Sequence, residues 1–216
     1  MEGFVIRLEQ PQDYRAVEHL TREAFWNCHV PGCDEHYLAR VLRDAACFLP
    51  ELDFVAERGG RIVGSIMYTR AVVRCDGGET LPVLCFGPVS VLPEWQGKGV
   101  GSALIRHSLG AARAQGHAAV LIYGDPAYYA RFGFVAAERF GIGTADGHYA
   151  DALQAVELVA GALSGKAGRF AEDEAYEIDA EAARAFDSAF PYKEKRAGLP
   201  SQRRFEALVS MRRPRG

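Results

Sequence analysis

The sequence predicts an α/β fold on a mixed central sheet, an antiparallel meander first and a parallel strand–helix–strand crossover after it, with helices on both faces. Three observations carry this. Three apolar stretches between Leu52 and Leu92 are joined by glycine pairs, Gly59-Gly60 and Gly77-Gly78, at the spacing of tight hairpin turns. A glycine cluster, Gly97, Gly99 and Gly101, then separates the last stretch from a helical pattern. Beyond that helix, "AAVLIYG" is continuously apolar, as a strand buried on both faces would be.

At 216 residues the chain suits one large domain, or a domain with an appendage. Its 49% hydrophobic and 25% charged residues are the balance of a globular chain. A net charge of −3 gives no reason to expect nucleic-acid binding. Arg203, Arg204, Arg212, Arg213 and Arg215 crowd the last residues and read as a solvated end. Five cysteines in no framework spacing point to free thiols in a reducing compartment. Arg7, Glu9 and Asp13 interrupt the start, which excludes a signal-peptide apolar block. No run reaches the roughly 18 apolar residues that a membrane helix needs. A cytoplasmic protein without membrane contact is expected.

Each element has a local signal. "FVIRLEQ" alternates apolar and polar residues, a short strand. "PQDYRAVEHLTREAF" puts Pro11 near a helix start, with Tyr14, Val17, Leu20 and Phe25 in helical rhythm. "EHYLARVLRD" is a second helix. The meander is "LDFVAE", "IVGSIMYTRAVVRC" and "TLPVLCFGPVSVL". In "VGSALIRHSLGAARAQG", Val100, Leu104, His107 and Ala111 fall on one helix face and Gly116 stops it, so His107 is expected to pack inside. "DPAYYARFG" offers Asp125 as N-cap, Pro126 at the first helical position and Gly133 as terminator. The expected division is a main domain over residues 1–150 and an extension over 151–216 packed on it, with "DALQAVELVAGAL" a strand and "DAEAARAFDSAF" a helix. Three uses are open to the extension: completing the sheet, roofing a site, or forming a homodimer.

The glycine cluster needs a reason, because glycine gives up packing and raises the entropy cost of ordering. A strand that runs through a glycine turn into a helix presents backbone N–H groups at the positive end of the helix dipole, a site for phosphate oxygens. Gly97, Gly99 and Gly101 would let the main chain approach, and Lys98 adds positive charge. The nucleoside-triphosphate loop G-x-x-x-x-G-K-[ST] fails, since Gly-Lys comes first and no Ser or Thr follows it. The dinucleotide fingerprint G-x-G-x-x-G is not matched by G-K-G-V-G, and Pro93 to Gln96 intervene where that motif turns at once. A turn with no ligand is the remaining alternative.

Read as Q-x-x-G-x-G, Gln96-Gly97-Lys98-Gly99-Val100-Gly101 resembles the GNAT family of acetyl-CoA-dependent N-acetyltransferases. The resemblance extends back to Val89-Ser90-Val91 and forward to "YYARFGF", covering residues 4 to about 140. The form "GDPAYYARFGF", with "DEHYL" upstream and "FDSAFPYKEK" downstream, is similar to a subfamily of acetyltransferases of unassigned substrate. It implies a GNAT-like sheet and an acetyl-CoA-binding domain over residues 1–150. The pyrophosphate of coenzyme A would rest on the amides of Gln96, Gly97, Lys98, Gly99, Val100 and Gly101. The pantetheine arm would pair with Val89 and Val91, beyond Gly87-Pro88, where a bulge is expected. Tyr129 would protonate the departing thiolate, while Tyr128 packs. The acceptor would be a primary amine on a small molecule or peptide, acetylated directly in a ternary complex without a metal.

The resemblance leaves the base unassigned. Some members carry a glutamate on the fourth strand, where Cys85 stands here; Glu94 reads as a solvated loop charge, and a water-mediated route is expected. Cys28, His29, Cys33 and His36 invite a zinc reading, but C-x4-C-x2-H lacks the two tight pairs of structural sites. By resemblance this segment borders the acceptor, which makes Glu35 and His36 candidate substrate-binding residues and leaves Asp34 as a helix cap. Trp95 would either cover the ligand or anchor the turn. The rival to an enzyme is a non-catalytic acyl-CoA-binding sensor.

Overall fold

A computed structural model describes residues 3–216. In chain order its elements are β1 (Val5–Leu8), α1 (Tyr14–Phe25), α2 (Glu35–Arg43), β2 (Phe54–Arg58), β3 (Arg61–Cys75) and β4 (Thr80–Val91). Then follow α3 (Val100–Ala114), β5 (Ala119–Tyr123), α4 (Pro126–Tyr129), β6 (Val135–Ala136), β7 (Ile142–Gly143) and β8 (His148–Ala150). The remainder are β9 (Leu153–Glu157), β10 (Gly168–Ala171), α5 (Ala180–Asp187), α6 (Pro200–Ser210) and β11 (Arg212–Pro214). The chain forms two compact units that interleave in sequence. One takes the chain up to Tyr68, with 87–108 and 174–204; the other takes 69–86, 109–173 and 205–216.

In the first unit the sheet order is β1-β2-β3-β4. β1 and β2 pair antiparallel with Leu8 opposite Phe54, and Phe54 pairs in turn with Ile66 of β3. The turn that joins β3 to β4 falls in the second unit, closed by Cys75 N–H to Glu79 O, with Gly78 at φ 88° as the turn requires. α3 buries Val100, Leu104, Ile105 and Ser108. Gly64 of β3 admits this helix, because a Cβ there would lie 2.8 Å from Val100 Cγ1 and 3.0 Å from Leu104 Cδ1. Ser108 donates or accepts at 2.9 Å with Tyr68 Oη. His107, expected inside, is exposed, with its ring edge-on to Phe54 at 4.7 Å. The buried stripe runs one residue away, through Ser108, which is small enough to face the sheet.

Two buried polar clusters tie this unit together. Arg43 donates to both oxygens of Glu9 at 3.0 and 2.7 Å and to Glu18 at 3.3 Å. Asp53, 4% exposed, lies beside Glu9; burial, then Glu9, push its carboxyl up to about 10. Asp53 is therefore protonated at neutral pH and donates to Glu9. The unfolded chain releases that proton above the ordinary carboxylate value, so stability is full below pH 3.8 and declines as pH rises toward 10. Asp53→Asn keeps a donor without a proton to lose. It is expected to raise the midpoint of thermal unfolding at pH 8 by a few degrees, about 1 kcal/mol or more, with the gain vanishing toward pH 4.

In the second cluster, α5 docks on α1 and α2. Arg22, 2% exposed, donates to Asp187 at 2.5 Å. His36 Nε2 lies 3.1 Å from the same carboxylate, and the His36 ring packs against Phe186 and Phe190 at 5.4 and 5.1 Å. The predicted helix in "DAEAARAFDSAF" is thus present, capped by Asp179, whose carboxylate accepts from Ala182 N–H at 2.7 Å.

In the second unit the order is β3-β4-β5-β9-β6, with β10 antiparallel to β3 and parallel to β7. β4 and β5 run parallel with Leu84 opposite Val120, while β9 is antiparallel to β5. The sheet is mixed, as expected. Val120, Leu121, Ile122, Phe134, Ile142, Leu153 and Phe170 form its core. The C-terminal arginines are not a loose end. β11 pairs antiparallel with β8, and Arg212, Arg213 and Arg215 reach Asp146, Glu138 and Asp76.

Candidate active site

The glycine turn forms as its spacing predicts. After β4, Pro93–Trp95 make a single 3-10 turn, Gln96 to Gly99 turn again, and α3 starts at Val100. Gly97 and Gly99 sit at φ 71° and 87°, left-handed values that glycine adopts at low cost, and a Cβ on either would meet nothing within 4 Å. Gly99, Gly97 and Lys98 are exposed. The first main-chain bond of the helix runs from Ala103 N–H to Gly99 O at 2.9 Å. The amides of Val100, Gly101 and Ser102 therefore have no helical acceptor and lie at the positive end of the dipole. Gly101 lets that first turn be approached without a side chain.

Gln96 shapes the turn instead of offering its amide outward. Its N–H bonds Pro93 O at 3.2 Å, and its side chain donates to Val91 O at 3.1 Å, holding the turn to the end of β4. Val89 and Val91 are half-buried and alternate with Ser90, which is buried and donates to Thr21 Oγ1 at 3.0 Å. Both valines lie beyond the Leu84–Val120 pairing, past the cis Gly87–Pro88 peptide bond. Two cations flank Trp95: Arg58 Cζ is 4.6 Å and Lys98 Nζ 5.1 Å from its ring centroid. Arg58, at the end of β2, was not legible as a neighbour of the turn, nor was the Ser102 amide. Glu94 pairs with Arg61 at 2.9 Å on the surface.

In the second unit, α4 carries Tyr129 on the signals read from sequence. Asp125 caps it by accepting from Ala127 N–H at 2.9 Å, Pro126 is first, and Gly133 at φ 88° ends the following turn. The Tyr129 ring packs against Phe86 of β4 at 5.9 Å, Phe134 at 5.6 Å and Tyr128 at 5.0 Å. Its Cδ2–Cε2 edge also lies against Gly124, where a Cβ would stand 2.2 Å from Tyr129 Cε2. Only glycine admits the ring there. Gly124→Ala is expected to displace it and to lower the midpoint of thermal unfolding by several degrees, about 1–3 kcal/mol of overpacking. Burial raises the Tyr129 phenol above its usual value, so it stays protonated throughout the neutral range.

Beside this aromatic group, Cys85 of β4 is 2% exposed and donates its thiol to Glu172 Oε1 at 3.4 Å. Glu172 follows β10 directly. Burial raises its carboxyl, opposed by the Cys85 contact.

The other candidates are placed elsewhere. His36 has no exposed surface, and its Nδ1 lies 3.6 Å from Cys33 Sγ. Burial lowers its imidazole and Asp187 opposes this, which keeps the ring neutral at pH 7. Glu35 is half-buried, 3.1 Å from His29 Nδ1, and accepts the Asp34 N–H at 3.1 Å. Asp34 stands at the N-cap of α2 without a side-chain cap bond. Among the described residues no group of three or more His, Cys, Asp or Glu side chains is placed to hold a metal, and no helix is long and apolar enough to cross a membrane.

Comparison with known proteins agrees with this geometry. A family model described as acetyltransferase (GNAT) domain matches residues 6–137. The chain is 29% identical over 164 residues to the uncharacterized N-acetyltransferase YhbS of Escherichia coli, covering 76% of this chain and 93% of that protein. With YjhQ of the same organism it shares 36% over 97 residues, 45% of this chain, and spans about half, 52%, of that relative. The crystal structure of YhbS in complex with CoA superposes with a TM-score of 0.71 at 28% identity, covering 82% of this chain and 94% of that one. A GNAT family acetyltransferase from Brucella melitensis in complex with acetyl-CoA gives 0.65 at 29% identity, covering 82% and 99%. The chain belongs to the GNAT acetyltransferase family.

Proposed function

We propose that the protein transfers the acetyl group of acetyl-CoA to a primary amine by direct attack within a ternary complex. The observation that carries this is the Gln96–Gly101 turn, which opens α3 with the amides of Val100, Gly101 and Ser102 lacking a helical acceptor, beside the exposed Lys98. The pyrophosphate of the cofactor would sit on these amides, approached over Gly97, Gly99 and Gly101. Gln96 and Lys98 would contribute by holding the turn and by charge. The half-buried strand end at Val89 and Val91 would take the pantetheine arm. The main domain, residues 1–150, holds all of these groups.

The amine nitrogen attacks the thioester carbon, a C–N bond forms and the C–S bond breaks. The departing thiolate takes a proton, for which the Tyr129 phenol is suited because burial keeps it protonated. Glu35 lies on a different segment of the first unit, and its carboxylate would bind an acceptor ammonium; His36 would act behind it by fixing α2 against Asp187.

Calorimetric titration with acetyl-CoA tests the cofactor reading, and thiol release across a panel of primary amines tests transfer. Saturable binding with amine-dependent thiol release supports the enzyme. Binding without release from any amine would favour a non-catalytic acyl-CoA sensor. Failure of the folded protein to bind at all would remove both.

A further inference from the structure

Transfer to an amine releases a proton from nitrogen, and something must accept it. In the second unit the titratable side chains that act on Tyr129 are Tyr128 on α4 and Cys85 on β4, and Cys85 in turn faces Tyr123 on β5 and Glu172 after β10. Asp146 and Arg212 also act on Tyr123 from β8's approach and β11. Both Tyr123 and Tyr129 are raised by burial, and so remain acids at neutral pH. Tyr128 is a phenol as well. The Cys85 thiol is buried and already donates to Glu172. Glu172 is the member of this group that is a base in its ordinary ionised form.

Its placement gives that base the right properties. β10 pairs with β3, Ala171 opposite Val72, and the next residue brings the carboxylate to Cys85 Sγ at 3.4 Å. Cys85 is one residue from Phe86, whose ring touches Tyr129, and Phe170 of β10 lies 5.9 Å from Tyr123. Within the second unit, neighbouring side chains of β4 thus receive the two groups on alternate faces of the strand, Phe86 the ring of Tyr129 and Cys85 the carboxylate of Glu172. Among the described residues no cation pairs with Glu172; the donated Cys85 thiol favours its ionised form, but burial outweighs it and the carboxyl is raised. A carboxylate held this way is a stronger base than an exposed one.

We propose that Glu172 is the general base of the transfer, a carboxylate supplied from the C-terminal part of the chain to a strand position that itself carries only Cys85. One oxygen keeps the thiol contact; the other receives the amine proton as the C–N bond forms. The thioester C–S bond breaks, the thiolate sulfur takes the Tyr129 proton, and solvent restores both side chains. This rests on the acetyltransferase reading. It adds the residue that completes the proton balance.

The test compares wild type with Glu172→Gln and Glu172→Asp, using alkyl diamines, amino-acid amides and lysine peptides as acceptors between pH 5.5 and 9 (roughly the neutral operating window of such bases). The expected result is that Glu172→Gln releases thiol about a hundredfold more slowly and loses the acid limb set by the raised carboxyl. The limb set by the acceptor's own ammonium remains in both proteins. Glu172→Asp recovers part of the rate, and acetyl-CoA affinity and unfolding temperature are unchanged. Wild-type rate and pH profile in Glu172→Gln would overturn the assignment while leaving the enzyme intact. Parallel loss of acetyl-CoA binding would overturn it in favour of a structural role. If wild type itself binds acetyl-CoA but releases thiol with no amine, the acetyltransferase reading falls first and Glu172 falls with it.

Discussion

Gly99→Glu is expected to abolish acetyl-CoA binding while the protein stays folded. The substitution acts twice. At φ 87° a side chain costs about 1–2 kcal/mol of backbone strain, and the new carboxylate stands where phosphate oxygens would approach the amides of α3. A Cβ at this position meets no atom within 4 Å, so the core is not disturbed and circular dichroism and unfolding temperature should change little. Weakening by a factor of about 100 or more, about 2.7 kcal/mol, is the expected size. Gly99→Ala separates the causes, since it carries the strain without the charge. It should weaken binding much less than glutamate does. Equal loss in both variants would place the effect on the backbone alone and take the anion from this turn.

Tyr129→Phe has the second largest expected effect, and it falls on a different quantity. The ring's packing on Phe86, Phe134 and Gly124 is kept by phenylalanine; only the hydroxyl is lost. Turnover is expected to drop about a hundredfold to a thousandfold, with acetyl-CoA affinity within about twofold of wild type. Because burial raises the phenol, its proton stays in place as pH rises through the neutral range, and wild-type turnover should not fall there on account of Tyr129. Acceptors whose products need no strong acid would not rescue the variant, since the leaving group is always the coenzyme A thiolate. An unchanged turnover in Tyr129→Phe would make the ring a packing element only.

The parts of the fold written in local chemistry were legible. Glycine turns, alternation and the Asp125–Pro126–Gly133 signals act over a few residues, and the meander, α3 and α4 formed where those signals stand. The strands that were missed, β6 to β8, β10 and β11, span only two to four residues each. Hydrogen bonds to distant strands define them, as β10 is defined by β3 and β11 by β8, and no periodicity survives at that length. The tail arginines looked solvated for the same reason: their carboxylate partners are Asp76, Glu138 and Asp146. His107 was misplaced because a face drawn at i, i+4, i+7 missed its buried neighbour Ser108, which sequence hydrophobicity does not mark.

The candidate site divides along the same line. The turn carries its own geometry, so Gln96 to Gly101 could be read directly. Glu172 could not, because "FAEDEAY" reads as an acidic loop and its contact with Cys85 spans 87 residues. A signal did exist in hindsight: a β-strand end without a carboxylate, where the chemistry needs a base, asks which distant segment brings one.

The most direct measurement is to follow thiol release and acetylated amine together, with purified protein, acetyl-CoA and the amine panel. The account predicts that both appear in one-to-one ratio, that both depend on the amine, and that neither passes through an acetylated protein. Thiol release without acetylated amine, or saturable acetyl-CoA binding with neither product, would contradict it.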